Sequence, residues 1–229
     1  MITSTMPPHS VENKVVSSES SYPAALRWPA QFLSYILHPI FIPLYVLLFL
    51  LFLHPSYFAG FSDGMKWRSV FILVQNAIFY PLFTILLLKK VGFIDSIFLK
   101  KQKDRIIPYI AAGIFFFWTY HVFKQQPIYP SILPSFIFGI FLGSSAALIA
   151  NIYFKISMHA IGMGGWLGIF LLIANSSTML MTWPLAAVLL LTGLVCTARF
   201  IVSDHTPKEI YLGLLLGMFS QFMGAYVVM

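Results

Sequence analysis

Residues 132–154 read ILPSFIFGIFLGSSAALIANIYF. This run of 23 residues contains no Asp, Glu, Lys, Arg or His. A helix crossing about 30 Å of hydrocarbon needs about 20 such residues. No strand-like alternation is present, and lipid offers no partner to unpaired backbone groups, so the run reads as a spanning helix. Comparable apolar runs lie at Phe32–Leu53, Val70–Leu88, Ile106–His121, His159–Met181, Pro184–Val202 and Glu209–Val228. Ile106–His121 is the shortest of them. The expected fold is all-α, a polytopic transmembrane helix bundle of six to seven spans.

Composition points the same way. The chain has 229 residues, 59% hydrophobic and 9% charged, where a soluble domain carries about 25% charged residues. So few charges cannot cover a water-facing surface. A soluble enzyme, a disordered chain, a coiled coil and a disulfide scaffold are excluded; the single cysteine, Cys196, has no intrachain partner. The net charge of +7 sits in short loops between apolar runs. That pattern suits anionic headgroups or a phosphate ligand, and no nucleic-acid partner is expected. Residues 1–27 are polar and Ser-rich and are expected to form a mobile tail, not a signal peptide. Residues 28–229 are expected to form one transmembrane domain. Pro39, Pro43, Pro81, Pro108 and Pro134 fall near run ends or would kink them. Gly139/Gly143, Gly164/Gly168 and Gly213/Gly217 are spaced for close helix approach.

The polar residues cluster at the junctions. The loop from Lys89 to Arg105 carries Lys89, Lys90, Lys100, Lys101, Lys103 and Arg105. Lys155-Ile156-Ser157-Met158-His159 separates two runs, and Arg199 to Glu209 separates the last two. Two runs lie between Arg105 and Ser157, and two more between His159 and Arg199. An even number of crossings returns the chain to the same side, so all three junctions are expected to face one compartment. Ionisable groups beside hydrocarbon are costly and default to a functional reading.

The residue types suggest phosphoryl chemistry. Arginine's planar fork matches phosphate oxygens. His159 and His205 each stand at a helix start, where free N–H groups and the dipole favour a bound anion and a neutral imidazole. Glu209, four residues after His205, shares its helix face and is placed to orient the imidazole.

These residues resemble a family. Arg199-x5-His205-x3-Glu209, preceded by Ser157-Met158-His159 and by Lys103-Asp104-Arg105-Ile106-Ile107-Pro108, is similar to the type-2 phosphatidic acid phosphatase superfamily. That family's pattern is Lys-x6-Arg-Pro, Pro-Ser-Gly-His and Ser-Arg-x5-His-x3-Asp. The likeness covers residues 100–217 and is nearest to membrane-bound members of Bacteroidetes-type bacteria. Phe98 stands where the first motif has Lys, and Pro108 comes three residues after Arg105. Ile156 and Met158 replace the Pro and Gly of the second motif; Ala198 and Glu209 replace the Ser and Asp of the third.

The resemblance implies a lipid phosphatase of a bacterial inner membrane, active in lipid metabolism without metal or other cofactor. His205 attacks phosphorus and forms a phosphohistidine, His159 protonates the leaving group, and Glu209 orients His205. Arg105, Arg199 and Ser157, with Lys100, Lys101 or Lys155 as candidates for the missing motif lysine, bind the phosphate. Phospholipid or isoprenoid phosphates (phosphatidate, phosphatidylglycerol phosphate, undecaprenyl diphosphate) are the implied substrates. The alternative is a non-catalytic relative that binds or transports lipid phosphates or assists membrane assembly.

Plainer roles stand beside these. Thr206 to Glu209 is also a capping box with Pro207 at the first helical position. Ser157 suits an N-cap, and the loop lysines suit headgroup contacts. His38, near the start of the first run, could reach the site side but reads rather as core or interface, and His54 and His121 fall on the opposite side. A zinc site of His159, His205 and Glu209 is opposed by the arginines. Trp28, Trp67, Trp118 and Trp183 suit an aromatic belt. By this topology 11 of the Lys and Arg residues lie on the motif side and 3 on the other. The positive-inside rule puts that side in the cytoplasm, whereas the family's bacterial members mostly work on the outer face; both placements stay open.

Overall fold

The computed structural model describes residues 22–96, 102–176, 180–203 and 205–229. The first part of the expected tail, residues 1–21, and Lys100 and Lys101 lie outside them. The described residues form helices and short links, with no strand among them. In chain order these are α1 (Ala24–Ile36), α2 (Ile42–Leu48), α3 (Asp63–Leu73), α4 (Tyr80–Lys90), α5 (Ile106–Lys124), α6 (Ile132–Tyr153), α7 (Met158–Ser176), α8 (Thr182–Val202) and α9 (Pro207–Val228).

Six helical stretches are long and apolar enough to cross a membrane: Asp63–Lys90, Lys103–Lys124, Ile132–Tyr153, Met158–Ser176, Thr182–Val202 and Pro207–Val228. The protein is an all-α polytopic membrane bundle. Its outer surface is apolar, with Phe71, Phe83, Leu86, Ile114, Leu190, Leu215 and Phe219 exposed, as a lipid-facing surface requires.

Prolines set several of the helix starts. Pro43 and Pro207 occupy the first turns of α2 and α9, and Pro108 and Pro134 those of α5 and α6. There the missing N–H has no intrahelical partner to lose. Ahead of Pro81 the helix widens into a π segment, Val74–Phe79, which joins α3 to α4 as one rod.

Two expectations are corrected. Ala24 already begins α1, so helix starts inside the expected 1–27 tail. The first apolar run, Phe32–Leu53, is also two elements. The helix stops at Ile36 and a link at His38–Phe41 precedes α2. The residue before a proline is pushed out of the α region, and Pro39 follows His38. The remaining apolar helix, Ile42–Leu53, ends in a π turn at Phe49–Leu53 and is shorter than a usual span.

That short helix still runs the height of the bundle beside α7. His38 packs on His159, Tyr45 stacks on Trp166, Phe49 meets Phe170, and the Tyr57 hydroxyl lies 3.1 Å from Ser176 Oγ. His38 and His159 mark one end and Tyr57 and Ser176 the other. Trp67, Trp118 and Trp183, all exposed, lie on helix turns near that second end.

The tightest packing is α7 against α9. A side chain at Gly164 would run into the Leu214 carbonyl, and one at Gly217 into the Ile161 carbonyl. Both obstacles are backbone, so only glycine lets these helices touch. The spacing of Gly164/Gly168 and Gly213/Gly217 thus serves helix approach. Helices α6 and α5 extend the layer, α6 packing on α9 and α5 on α6, while α8 covers α7 and carries α1.

Candidate functional site

Three junctions meet at the His38–His159 end: the start of α5, the α6–α7 link, and the turn between α8 and α9. The even-crossing expectation therefore holds in three dimensions.

The α8–α9 turn is the best-defined part. Glu209 closes a capping box, its Oε2 accepting the Thr206 N–H at 3.0 Å while Thr206 Oγ1 accepts the Glu209 N–H at 3.3 Å. The same Oε2 lies 3.0 Å from His205 Nδ1. Capping and orienting are thus one arrangement, since the cap fixes the carboxylate and the carboxylate fixes the ring. A carboxylate only accepts, so Nδ1 carries the proton and Nε2 keeps its lone pair. The His205 side chain is 4% exposed and that of Glu209 17%.

Burial, first, and then the nearby charges of Arg105 and Arg199 hold the His205 imidazole below its ordinary range, against the Glu209 hydrogen bond that raises it. The group is therefore neutral at pH 7.

Arg105 enters from the turn preceding α5, is 7% exposed, and donates from Nη1 to the Ile156 carbonyl at 3.2 Å. This anchors α5 to the α6–α7 link. Ser157 is fully buried; its hydroxyl accepts the Ala160 N–H at 3.4 Å, and its own N–H reaches the Glu209 carbonyl at 3.4 Å. The Ser157 side chain thus serves as the cap of α7, and its backbone joins that helix start to α9. Lys155 is half-buried in the same link. Lys101 lies outside the described residues.

Arg199 reaches in from the last turn of α8. Its Nη1 lies 3.5 Å from Ser34 Oγ, and its Nε is buried with no hydrogen-bond partner in the structure. A guanidinium with an unmet donor near a second guanidinium and imidazoles is an anion-seeking group.

His159, on the first turn of α7, lies 3.0 Å from the Ser34 carbonyl through Nε2. A carbonyl only accepts, so that nitrogen bears the proton. His38 stands edge to face with His159, ring centroids 5.2 Å apart. Its Nδ1 accepts the Ile40 N–H at 3.3 Å. Burial, and then Arg199, push its pKa down to about 4.

Ser34, from the α1–α2 corner, is the site neighbour that sequence reasoning missed, since it carries no signal. His38, from the same corner, has the position to reach the site side but reads from sequence first as core or interface. The one available cue was His38-Pro39 breaking an otherwise apolar run beside a crowded cationic end.

Chemically, the cluster offers an oriented neutral imidazole, a second imidazole with a proton to give, and two guanidinium groups. Comparison of the chain with protein-family models, with curated proteins and with solved structures finds no match.

Proposed function

We propose that this chain is an integral-membrane lipid phosphatase, a divergent relative of the type-2 phosphatidic acid phosphatases. It works without metal in the inner membrane of a bacterium. The observation that carries the reading is the His205–Glu209 pair, which leaves the Nε2 lone pair free on a buried, neutral imidazole that feels the charges of Arg105 and Arg199.

In the proposed reaction His205 Nε2 attacks phosphorus and the phosphorus–oxygen bond to the lipid breaks. His159, as the imidazolium, gives a proton to the departing oxygen and becomes neutral. Water then attacks the phosphohistidine and surrenders a proton to His159, which returns both imidazoles to their starting states. Arg105 and Arg199 take the charge that spreads over the equatorial oxygens. Ser157 is the remaining candidate phosphate ligand, and Lys100, Lys101 or Lys155 the candidate for the lysine of the first motif. The substrate is a phospholipid or isoprenoid phosphate or diphosphate.

Two features support a lipid substrate. The site lies at the end of helices whose outer faces are apolar. A groove of about 750 Å³ also runs between the α3–α4 rod, α5 and α6, lined by Tyr80, Tyr109, Gly113, Phe117, Phe141 and Leu148. Tyr109 is one helical turn from Arg105.

The test is release of inorganic phosphate by the purified protein in detergent with EDTA. Phosphatidate, phosphatidylglycerol phosphate and undecaprenyl diphosphate are each offered to wild type and His205→Ala. Release by wild type that disappears in the variant is the expected result. A folded wild type that binds these lipids and releases nothing is a binding or transport protein instead.

A further inference from the structure

We propose that the C-terminal turn of α1 is an internal stand-in for the phosphoryl group. Two oxygens of Ser34 hold His159 and Arg199 in the resting protein, and the substrate's phosphate must displace them. The inference rests on the phosphatase reading of the site.

The contacts come from one residue. The Ser34 carbonyl accepts from His159 Nε2 at 3.0 Å, and Ser34 Oγ accepts from Arg199 Nη1 at 3.5 Å. The hydroxyl's own proton goes to the Ala30 carbonyl at 2.8 Å, which leaves its lone pairs for the guanidinium. Two oxygen acceptors on one residue therefore face the two donors that the reaction assigns to the leaving group and the equatorial oxygens.

The cause lies in the sequence. In a continuing helix the Ser34 carbonyl would take the N–H of His38. The break at His38-Pro39 ends α1 at Ile36, so the last carbonyls lack helical partners. The Leu33 carbonyl accepts Leu37 N–H at 2.9 Å, the Ile36 carbonyl accepts the Tyr45 hydroxyl at 2.8 Å, and the Ser34 carbonyl is left to His159. A helix C-terminus also carries a partial negative charge. The turn thus brings both lone pairs and negative potential to an anion site.

The element is also built to leave. Of the 13 residues of α1 only Ala30 and Ser34 are buried. Trp28, Phe32 and Tyr35 are exposed. The non-helical link at His38–Phe41 supplies the joint. Few buried contacts place a segment at the low end of local stability.

The test uses the full-length protein in detergent, with inorganic phosphate as the probe. Phosphate affinity is measured by calorimetry for wild type and Ser34→Ala. Separately, a nitroxide is attached at Tyr35→Cys in a Cys196→Ser background, which keeps Ser34 intact, and its spectrum is recorded with and without phosphate. Loss of one competing hydrogen bond should tighten phosphate binding about three- to tenfold in Ser34→Ala, and phosphate should loosen the label. Binding seen only in Ser34→Ala supports the proposal equally. Phosphate that binds wild type, binds Ser34→Ala no better, and leaves the label unmoved overturns the stand-in while sparing the phosphatase reading. Phosphate that binds neither protein overturns both.

Discussion

Replacing Glu209 by Gln separates two jobs that one carboxylate oxygen performs. Oε2 takes the Thr206 N–H and the His205 Nδ1–H, each at 3.0 Å. Glutamine also completes a capping box, so stability should change by less than about 0.5 kcal/mol. The catalytic job is different. As His205 bonds to phosphorus its ring becomes cationic, about 3 Å from Oε2. Two unit charges at that distance interact by roughly 5 kcal/mol at an effective dielectric of about 20. If about half the charge has developed in the transition state, the missing carboxylate costs roughly 2.5 kcal/mol, about a hundredfold in kcat. Glu209→Ala should lose a similar factor in kcat and, in addition, about 1 kcal/mol of stability with the cap. The assays are phosphate release under EDTA and thermal unfolding, each run on both variants. The reasoning is refuted if Glu209→Gln keeps kcat within about twofold of wild type while Glu209→Ala is unstable. Glu209 would then be a helix cap only.

The lowered His205 pKa fixes the acid limb of the pH profile. The reactive form of His205 is the neutral one, so the acid limb of kcat/KM falls as pH drops through a value below the ordinary imidazole range near 6.5, while loss of the His159 proton sets a separate basic limb. Glu209 raises the His205 pKa, so in Glu209→Gln the acid limb should move to still lower pH; an acid limb above about 6.5, or a shift the other way, contradicts the assignment. Gly164→Ala, which drives a methyl into the Leu214 carbonyl, should cost about 2 kcal/mol, seen as a Tm lower by about 4–8 °C. Gly193 has nothing within 4 Å of where its Cβ would stand, so Gly193→Ala should leave Tm unchanged or raise it, by at most about 1 kcal/mol of helix propensity.

The sequence made much of the fold readable because hydropathy and helix length obey one constraint. Six of the expected runs are spans, including Ile106–His121, which the helix extends to Lys124. Phe32–Leu53 misled because hydropathy averages over His38-Pro39, whereas the backbone responds to that one dipeptide. The site was legible where its residues are neighbours in sequence. His205 and Glu209 are four apart, and one helical turn is all their contact requires. Parity of crossings then predicted that Arg105, Ser157, His159 and Arg199 would share an end. Parity does not say which atoms meet. Ser34 contacts residues 125 and 165 positions away, and no spacing encodes that. Nor did the pattern decide whether Glu209 caps or orients, because both follow from one side-chain position.

The central claim is that His205 carries the phosphoryl group. Its most direct test is to mix the protein with a lipid labelled with ³²P on its terminal phosphate and quench the reaction in alkali, where a phosphohistidine survives. The labelled position is then located by mass spectrometry. The account predicts label on His205 during turnover and none in His205→Ala. Label on another side chain, or full turnover by His205→Ala, would contradict it.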